Sequence, residues 1–215
     1  YLYDVQGNEA DATKTAYEYL KISEKMGDKD AIGHAAHMLA SNYLALGNTS
    51  EAKKYFKQGL LVSEATGNSI EQLYYNTDLG HVYLQENQTA IAYQHFSKAL
   101  LLAKEVNDVQ LLAHVHQSIG QYYNALGKFS ESLKHYKAAE AAYKSISNKQ
   151  DLAVLYAHMG HVYTTLQKFH LARRAFNNSK LLYDGLNSKM SMADYYRGKE
   201  RLDSATGNWQ HAYHN

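Results

Sequence analysis

Apolar residues in this chain recur at intervals of three and four, the period of one helix face, and not at intervals of two. Helices are therefore expected and strands are not. Turn-forming residues interrupt the pattern at a fixed spacing. Gly7, Gly47, Gly127 and Gly207 lie on one 40-residue lattice, and Asn87 and Gln167 fill its other points. A second lattice of the same period carries Gly27-Asp28, Gly67-Asn68, Asn107-Asp108, Ser147-Asn148 and Asn187-Ser188. Two turns per period imply two helices per period, each about 17 residues long. Gly and Asn suit these points because they tolerate the left-handed backbone that ends a helix. Ser69 and Gln72 have the spacing of a capping box, which marks a helix start.

The packing positions repeat with the same period. Leu39, Leu79, Ile119 and Met159 are equivalent, as are Ala40, Gly80, Gly120 and Gly160. Tyr43, Tyr83, Tyr123 and Tyr163 follow in the first helix. In the second helix Ala52, Ala92, Ser132 and Ala172 align, with Phe56, Phe96, Tyr136 and Phe176 after them. A small residue in the first helix lets the second approach, and the aromatic side chains fill the space beside that contact. One hairpin cannot bury its apolar face alone, so hairpins must stack.

Leu79-Gly80, Tyr83, Ala92, Phe96 and Ala99 together resemble the signature of the tetratricopeptide repeat. The resemblance extends over essentially the whole chain. It departs from the family in a 40-residue rather than ~34-residue period and in lacking the family's proline. The fold implied is all-α, a right-handed α-α superhelix of antiparallel helix hairpins. Within one array, residues 9–26 are expected to form a lone second helix. Complete hairpins are expected at 30–66, 69–106, 109–146 and 149–186, and a truncated fifth at 189–215. Both ends then cut through a repeat, and a longer native protein is expected.

Composition narrows the function classes. The formal net charge is +1 and no long run of one sign occurs, which argues against a nucleic-acid footprint. There is no cysteine, so disulfides, thiolate zinc sites and thiol nucleophiles are excluded. No apolar stretch approaches the ~18 residues of a membrane span, and no signal peptide is visible. Without proline, every reversal must rely on Gly, Asn and Asp. Phosphate-binding glycine loops, His-Glu-x-x-His and Gly-x-Ser-x-Gly are all missing. No enzyme activity and no cofactor are expected.

Twelve histidines invite a metal reading. His34 with His37, and His158 with His161, lie one helical turn apart, but no third ligand completes either set. His95 and His135 share one repeat position on the second helix and read as polar surface residues. His116 stands where the family often has a core aromatic, and is expected to be packed or hydrogen-bonded.

The resemblance also implies where a partner binds. In that family, first helices line a concave surface through four inward positions each. Here these are His34, His37, Ser41 and Leu44 in the first unit, and Tyr74, Thr77, His81 and Leu84 in the second. His114, Gln117, Gln121 and Asn124 follow, then Val154, Ala157, His161 and Thr164. The partial fifth unit adds Asp194, Arg197, Arg201 and Ser204. The polar and aromatic members of this set suit a protein or peptide partner, or a polar small molecule, with Arg197 and Arg201 placed to clamp a carboxylate or phosphate. Members of the family that grip acidic chaperone C-termini carry Lys and Asn where this chain has His37, Ser41, Thr77 and His81, so that role is not expected.

Residues 201–208 resemble the last repeat of bacterial tetratricopeptide sensor regions. That similarity implies the input domain of a signalling protein ahead of a kinase or DNA-binding output, with a periplasmic placement ahead of a cytoplasmic one. The alternatives are a cytoplasmic adaptor or peptide receptor of the same superfamily and, third, a pH-responsive element built on the histidines.

Overall fold

The computed structural model describes residues 2–186 and 192–207, with side chains from Asp11 onward except at Ala193 and Asp194. Ten helices and no strand occur among the described residues: α1 (Leu2–Met26), α2 (Lys29–Ala45), α3 (Thr49–Thr66), α4 (Ser69–Gln85), α5 (Thr89–Val106), α6 (Val109–Ala125), α7 (Phe129–Ser145), α8 (Lys149–Thr165), α9 (Phe169–Gly185) and α10 (Ala193–Ala205). The expected turn Asn187-Ser188 and the segment 209–215 lie outside the described residues.

The chain divides into two compact units, residues 1–106 and 107–215. In the first, α2–α3 and α4–α5 form antiparallel hairpins, α3 packs on α4, and α1 packs on α2. In the second, α6–α7 and α8–α9 form the hairpins, α7 packs on α8, and α10 packs on α8 and α9.

The turns explain the regularity. Gly27, Gly47, Gly67, Asn87, Asn107, Gly127, Ser147, Gln167 and Gly207 all have positive φ, between 55° and 75°. The two lattices therefore merge into one, with a left-handed residue at every twentieth position from Gly27 to Gln167 and again at Gly207. These residues close the preceding helices, and after seven of them the next residue's N–H returns to a carbonyl five positions back, as in Asn48 N to Tyr43 O (2.8 Å) and Gln88 N to Tyr83 O (2.8 Å). Asp28, Asn48, Asn68, Asp108 and Asn148 then cap the next helix through their side-chain oxygens.

Two expectations are corrected. The cap of α4 is Asn68, which accepts from Glu71 N at 3.1 Å, and not Ser69. Gln72 reaches back to Ser63 O instead of completing a capping box. Gly7 is not a turn, because α1 starts at Leu2 and runs through it. A glycine inside a helix costs only about 1 kcal/mol relative to alanine, so a lattice point alone does not end one.

In the three hairpins whose small first-helix residue is glycine, that residue meets the aromatic of the second helix. A Cβ on Gly80 would lie 2.7 Å from the Phe96 ring, and one on Gly160 2.6 Å from Phe176. One on Gly120 would overlap Tyr136. These aromatics are buried, with Phe56, Phe96 and Tyr136 essentially inaccessible. Truncating one to alanine would cost roughly 3–5 kcal/mol. The repeat tyrosine stacks on the residue twelve positions later, in equivalent places: Tyr43 on Tyr55 (5.6 Å), Tyr83 on His95 (5.3 Å) and Tyr123 on His135 (5.4 Å).

Three stability measurements follow. Gly120→Leu should overpack the α6–α7 contact and lower the denaturant midpoint by the equivalent of roughly 1–3 kcal/mol. Gly185→Ala, with nothing within 4 Å of its Cβ, should leave the midpoint unchanged or raise it slightly. Gln167→Gly should stabilise by up to about 1 kcal/mol, because Gln167 sits at φ 56° where a side chain is strained.

Candidate functional site

Two grooves form between first helices, one in each unit. In the first unit, His34 and His37 of α2 face Ile70, Glu71, Tyr74 and Tyr75 of α4 across a groove of ≈ 540 Å³. Tyr75 is held by its hydroxyl, which donates to Gly33 O at 2.7 Å. His37 Nε2 lies 3.2 Å from Asp78 Oδ2. That hydrogen bond raises the imidazole pKa against the opposing effect of partial burial, with Asp78 and Glu71 adding Coulombic support.

In the second unit, Gln121 and Asn124 of α6, His158 and His161 of α8, and Arg201 of α10 surround a more polar groove of ≈ 400 Å³, with Tyr136 of α7 among its walls. Gln121 Nε2 approaches the His158 ring at 3.3 Å. His158 stacks over Tyr136 (6.1 Å), and His161 stands edge-on to Phe176 (5.5 Å). Burial pushes the Tyr136 hydroxyl well above the ordinary tyrosine pKa, so it stays protonated and can donate.

The expected inward residues divide accordingly. His34, His37 and Tyr74 come together in the first groove, and Gln121, Asn124, His161 and Arg201 in the second. Ser41 and Arg197 are exposed but line neither groove. His114 and Gln117 are half-buried and outside the second groove. His81 is half-buried, edge-on to Phe96 at 5.1 Å. Thr77 is a correction: it is buried, and its hydroxyl donates to Leu73 O of its own helix at 2.9 Å, so it offers nothing to a partner.

Asp78 was missed, and His158 was read only as a partner of His161 and not as a residue facing the preceding hairpin. They occupy the same repeat position, one residue after an inward one, and both reach back to the preceding first helix. Successive helical residues are separated by about 100°, so this position lies on the flank facing the preceding hairpin. The separation of Asp78 and His158 by two 40-residue periods was the available signal.

The second-helix histidines are also corrected. His95 and His135 are half-buried hairpin contacts and not peripheral surface groups. His95 Nδ1 donates to Asn76 Oδ1 at 2.9 Å, and Asn76 is oriented by its own bond to Gln72 O. His135 Nδ1 lies 3.0 Å from His116 Nδ1, which places His116 in the hydrogen-bonded role expected of it. Burial first, then His116 and Lys134, push the His135 pKa down to about 4. Burial, then Lys98 and Lys57, also lower that of His95. Among the described residues no three His, Asp or Glu side chains are grouped to hold a metal ion.

Tetratricopeptide repeat profiles match residues 33–66 and 70–145, which together cover the first three hairpins almost end to end. The chain belongs to the tetratricopeptide repeat family. Solved structures share its fold, the α-α superhelix of antiparallel hairpins. BtubC (BKLC) from P. vanneervenii superposes with a TM-score of 0.77 at 16% identity, covering 95% of this chain and 86% of that one. Aspartyl phosphate phosphatase F from Bacillus subtilis gives 0.75 at 16% identity, covering 86% of this chain and 48% of that protein. A Rap protein complexed with Competence and Sporulation Factor gives 0.73 at 16% identity, covering 98% and 68%. The chain thus spans about half the length of the phosphatase. No curated protein matches the chain. No described helix of this tetratricopeptide array is long and apolar enough to cross a membrane.

The histidine contacts predict a pH response. The folded pKa of His135 lies below the unfolded value of about 6.5, so the unfolded chain takes up the proton first as pH falls. This contribution to stability is intact above pH ~6.5 and is lost as pH falls toward ~4. His95 acts in the same direction. His37, with its raised pKa, acts oppositely: its stabilisation is present below pH ~6.5 and is lost as pH rises through its folded value. With two histidines against one, the melting temperature should fall between pH 7 and pH 5 on the order of a few degrees. His135→Gln should make that fall shallower.

Proposed function

We propose that the chain is a non-enzymatic peptide-binding scaffold, and that it serves as the sensor or regulatory input region of a bacterial signalling protein. The observation that carries the binding role is the groove of the second unit. There Gln121, His158, His161 and Arg201 converge on ≈ 400 Å³ between α6, α8 and α10. These side chains offer both donors and acceptors, which is what an extended peptide backbone requires. Arg201 supplies the positive end and suits a carboxylate, either a peptide C-terminus or an acidic side chain. The groove contains no nucleophile activated by a neighbouring base, so recognition is the chemistry it supports.

Regulators that share the fold support the finer reading. The Rap structure was solved with Competence and Sporulation Factor, and NprR with its cognate peptide NprX. A tetratricopeptide sensor is part of the matched signal-transduction ATPase, of which this chain covers 33%. That proportion suits a sensor attached to a larger output. A stand-alone adaptor is the second reading. It is favoured by the match to BtubC, whose aligned 86% leaves little room for a separate output domain.

The test is selection of linear peptides against the immobilised chain, followed by affinity measurement on the strongest. Arg201→Ala should weaken binding of an acidic or free-carboxylate peptide by about tenfold or more, as expected for a lost charge-assisted hydrogen bond. Helicity by circular dichroism should be unchanged. Arg197→Ala, outside the groove, should have the smaller effect. Equal affinity for the Arg201→Ala and wild-type chains would place the site elsewhere. Failure to select any peptide would remove the scaffold reading.

A further inference from the structure

The groove of the first unit differs chemically from that of the second. Its lining includes no lysine or arginine. Glu71 lies in it, and its Oε2 is buried without a hydrogen-bond partner. The carboxylate sits over Gly33, where an added Cβ would be 3.2 Å from Oε2 and 3.7 Å from the Tyr75 hydroxyl. The absence of a side chain at residue 33 therefore opens the space in which Glu71 rests. The other nearby carboxylate, Asp78, is already engaged with His37 at 3.2 Å. Two carboxylates thus share one imidazole, and Glu71 holds the unmatched charge.

A buried carboxylate oxygen without a donor is costly and calls for an explanation. Tyr75 cannot supply the missing donor, since its hydroxyl proton is directed to Gly33 O. Around the carboxylate, Tyr74, Tyr75 and Ile70 provide an aromatic and aliphatic wall, with Tyr74 and Ile70 substantially exposed. An anion within an aromatic wall is the complement of a cation on an aliphatic stem. The stem lies along the rings while the charged head is held by the carboxylate and attracted by the ring faces.

We propose that the groove between α2 and α4 receives a basic side chain, an arginine or lysine of a bound peptide, with the Glu71 carboxylate as its counter-charge. This rests on the peptide-binding reading and specifies a residue class for a site distinct in chemistry from the Arg201 groove. Arginine suits it better than lysine, because a planar guanidinium can bond the carboxylate while stacking on an aromatic ring. Gly33 is then the positioning residue, since it allows the carboxylate to lie where it does.

The experiment is titration of the full chain, followed by amide-proton NMR, with N-acetyl-arginine amide and with its neutral counterpart N-acetyl-citrulline amide. The arginine compound should shift the amides of Gly33, Tyr74 and Tyr75. Its half-saturation should be about tenfold below that of the citrulline compound, the effect of one charge-assisted bond. Glu71→Gln should remove that difference while leaving the melting temperature and the spectrum of the second unit unchanged. If Glu71→Gln alters folding, Gly33→Ala, which crowds the carboxylate, should still weaken the arginine response selectively. Equal responses to the two compounds, or an arginine response unaffected by Glu71→Gln, would overturn the proposal. Selected peptides that bind without any arginine response would defeat this inference alone. An arginine response without any selectable peptide would defeat the scaffold reading alone.

Discussion

The close approach of a glycine on one helix to an aromatic ring on the next governs this structure. At Gly80, Gly120 and Gly160 there is no room for a single added carbon. Phe96, Tyr136 and Phe176 occupy that space and are buried there. The contact sets the distance between the helices of a hairpin. That distance brings the repeat tyrosine over the second helix, where Tyr83 and Tyr123 find imidazoles to stack on. The grooves inherit their walls from the same contacts, since Tyr136 both fills the space beside Gly120 and lines the second groove.

The turns supply the second constraint. A left-handed residue at every twentieth position from Gly27 to Gln167 makes both helices of each complete repeat nearly equal in length. Where the residue is glycine the conformation is unstrained. At Asn87, Asn107, Ser147 and Gln167 a side chain is carried in the same conformation. The neighbouring tertiary contacts over-determine these turns, and the local strain is tolerated because the hairpins leave the chain no other path.

Much of the fold was legible because its signals repeat. Gly80, Gly120 and Gly160 at one spacing, with aromatics at another, specify paired helices more firmly than any single motif. Single-site inferences fared less well. Ser69 matched a capping box, but Asn68 one residue earlier makes the cap. Thr77 fell on an inward position, yet a threonine can satisfy its hydroxyl on its own helix and turn into the packing. His95 and His135 looked peripheral because polarity suggests exposure, whereas Asn76 and His116 provide partners on the facing helix, nineteen residues away in sequence. The sites were legible as a strip of first-helix positions. Their division into an acidic aromatic groove and a cationic polar one depends on which residues from neighbouring helices meet, and this emerges only in three dimensions.

The shortness of the connections has a bearing on how such a protein can change its ligand. Only two residues separate α3 from α4 or α5 from α6, and three separate α2 from α3. Many binding proteins vary their specificity by lengthening or reshaping loops. The hairpins from α2 to α9 have no loop to reshape, and an insertion would disturb the twenty-residue spacing. Its vocabulary for recognition is confined to side chains on helix flanks. A new specificity must therefore be reached by exchanging residues at fixed sites, one repeat at a time, over an unaltered backbone.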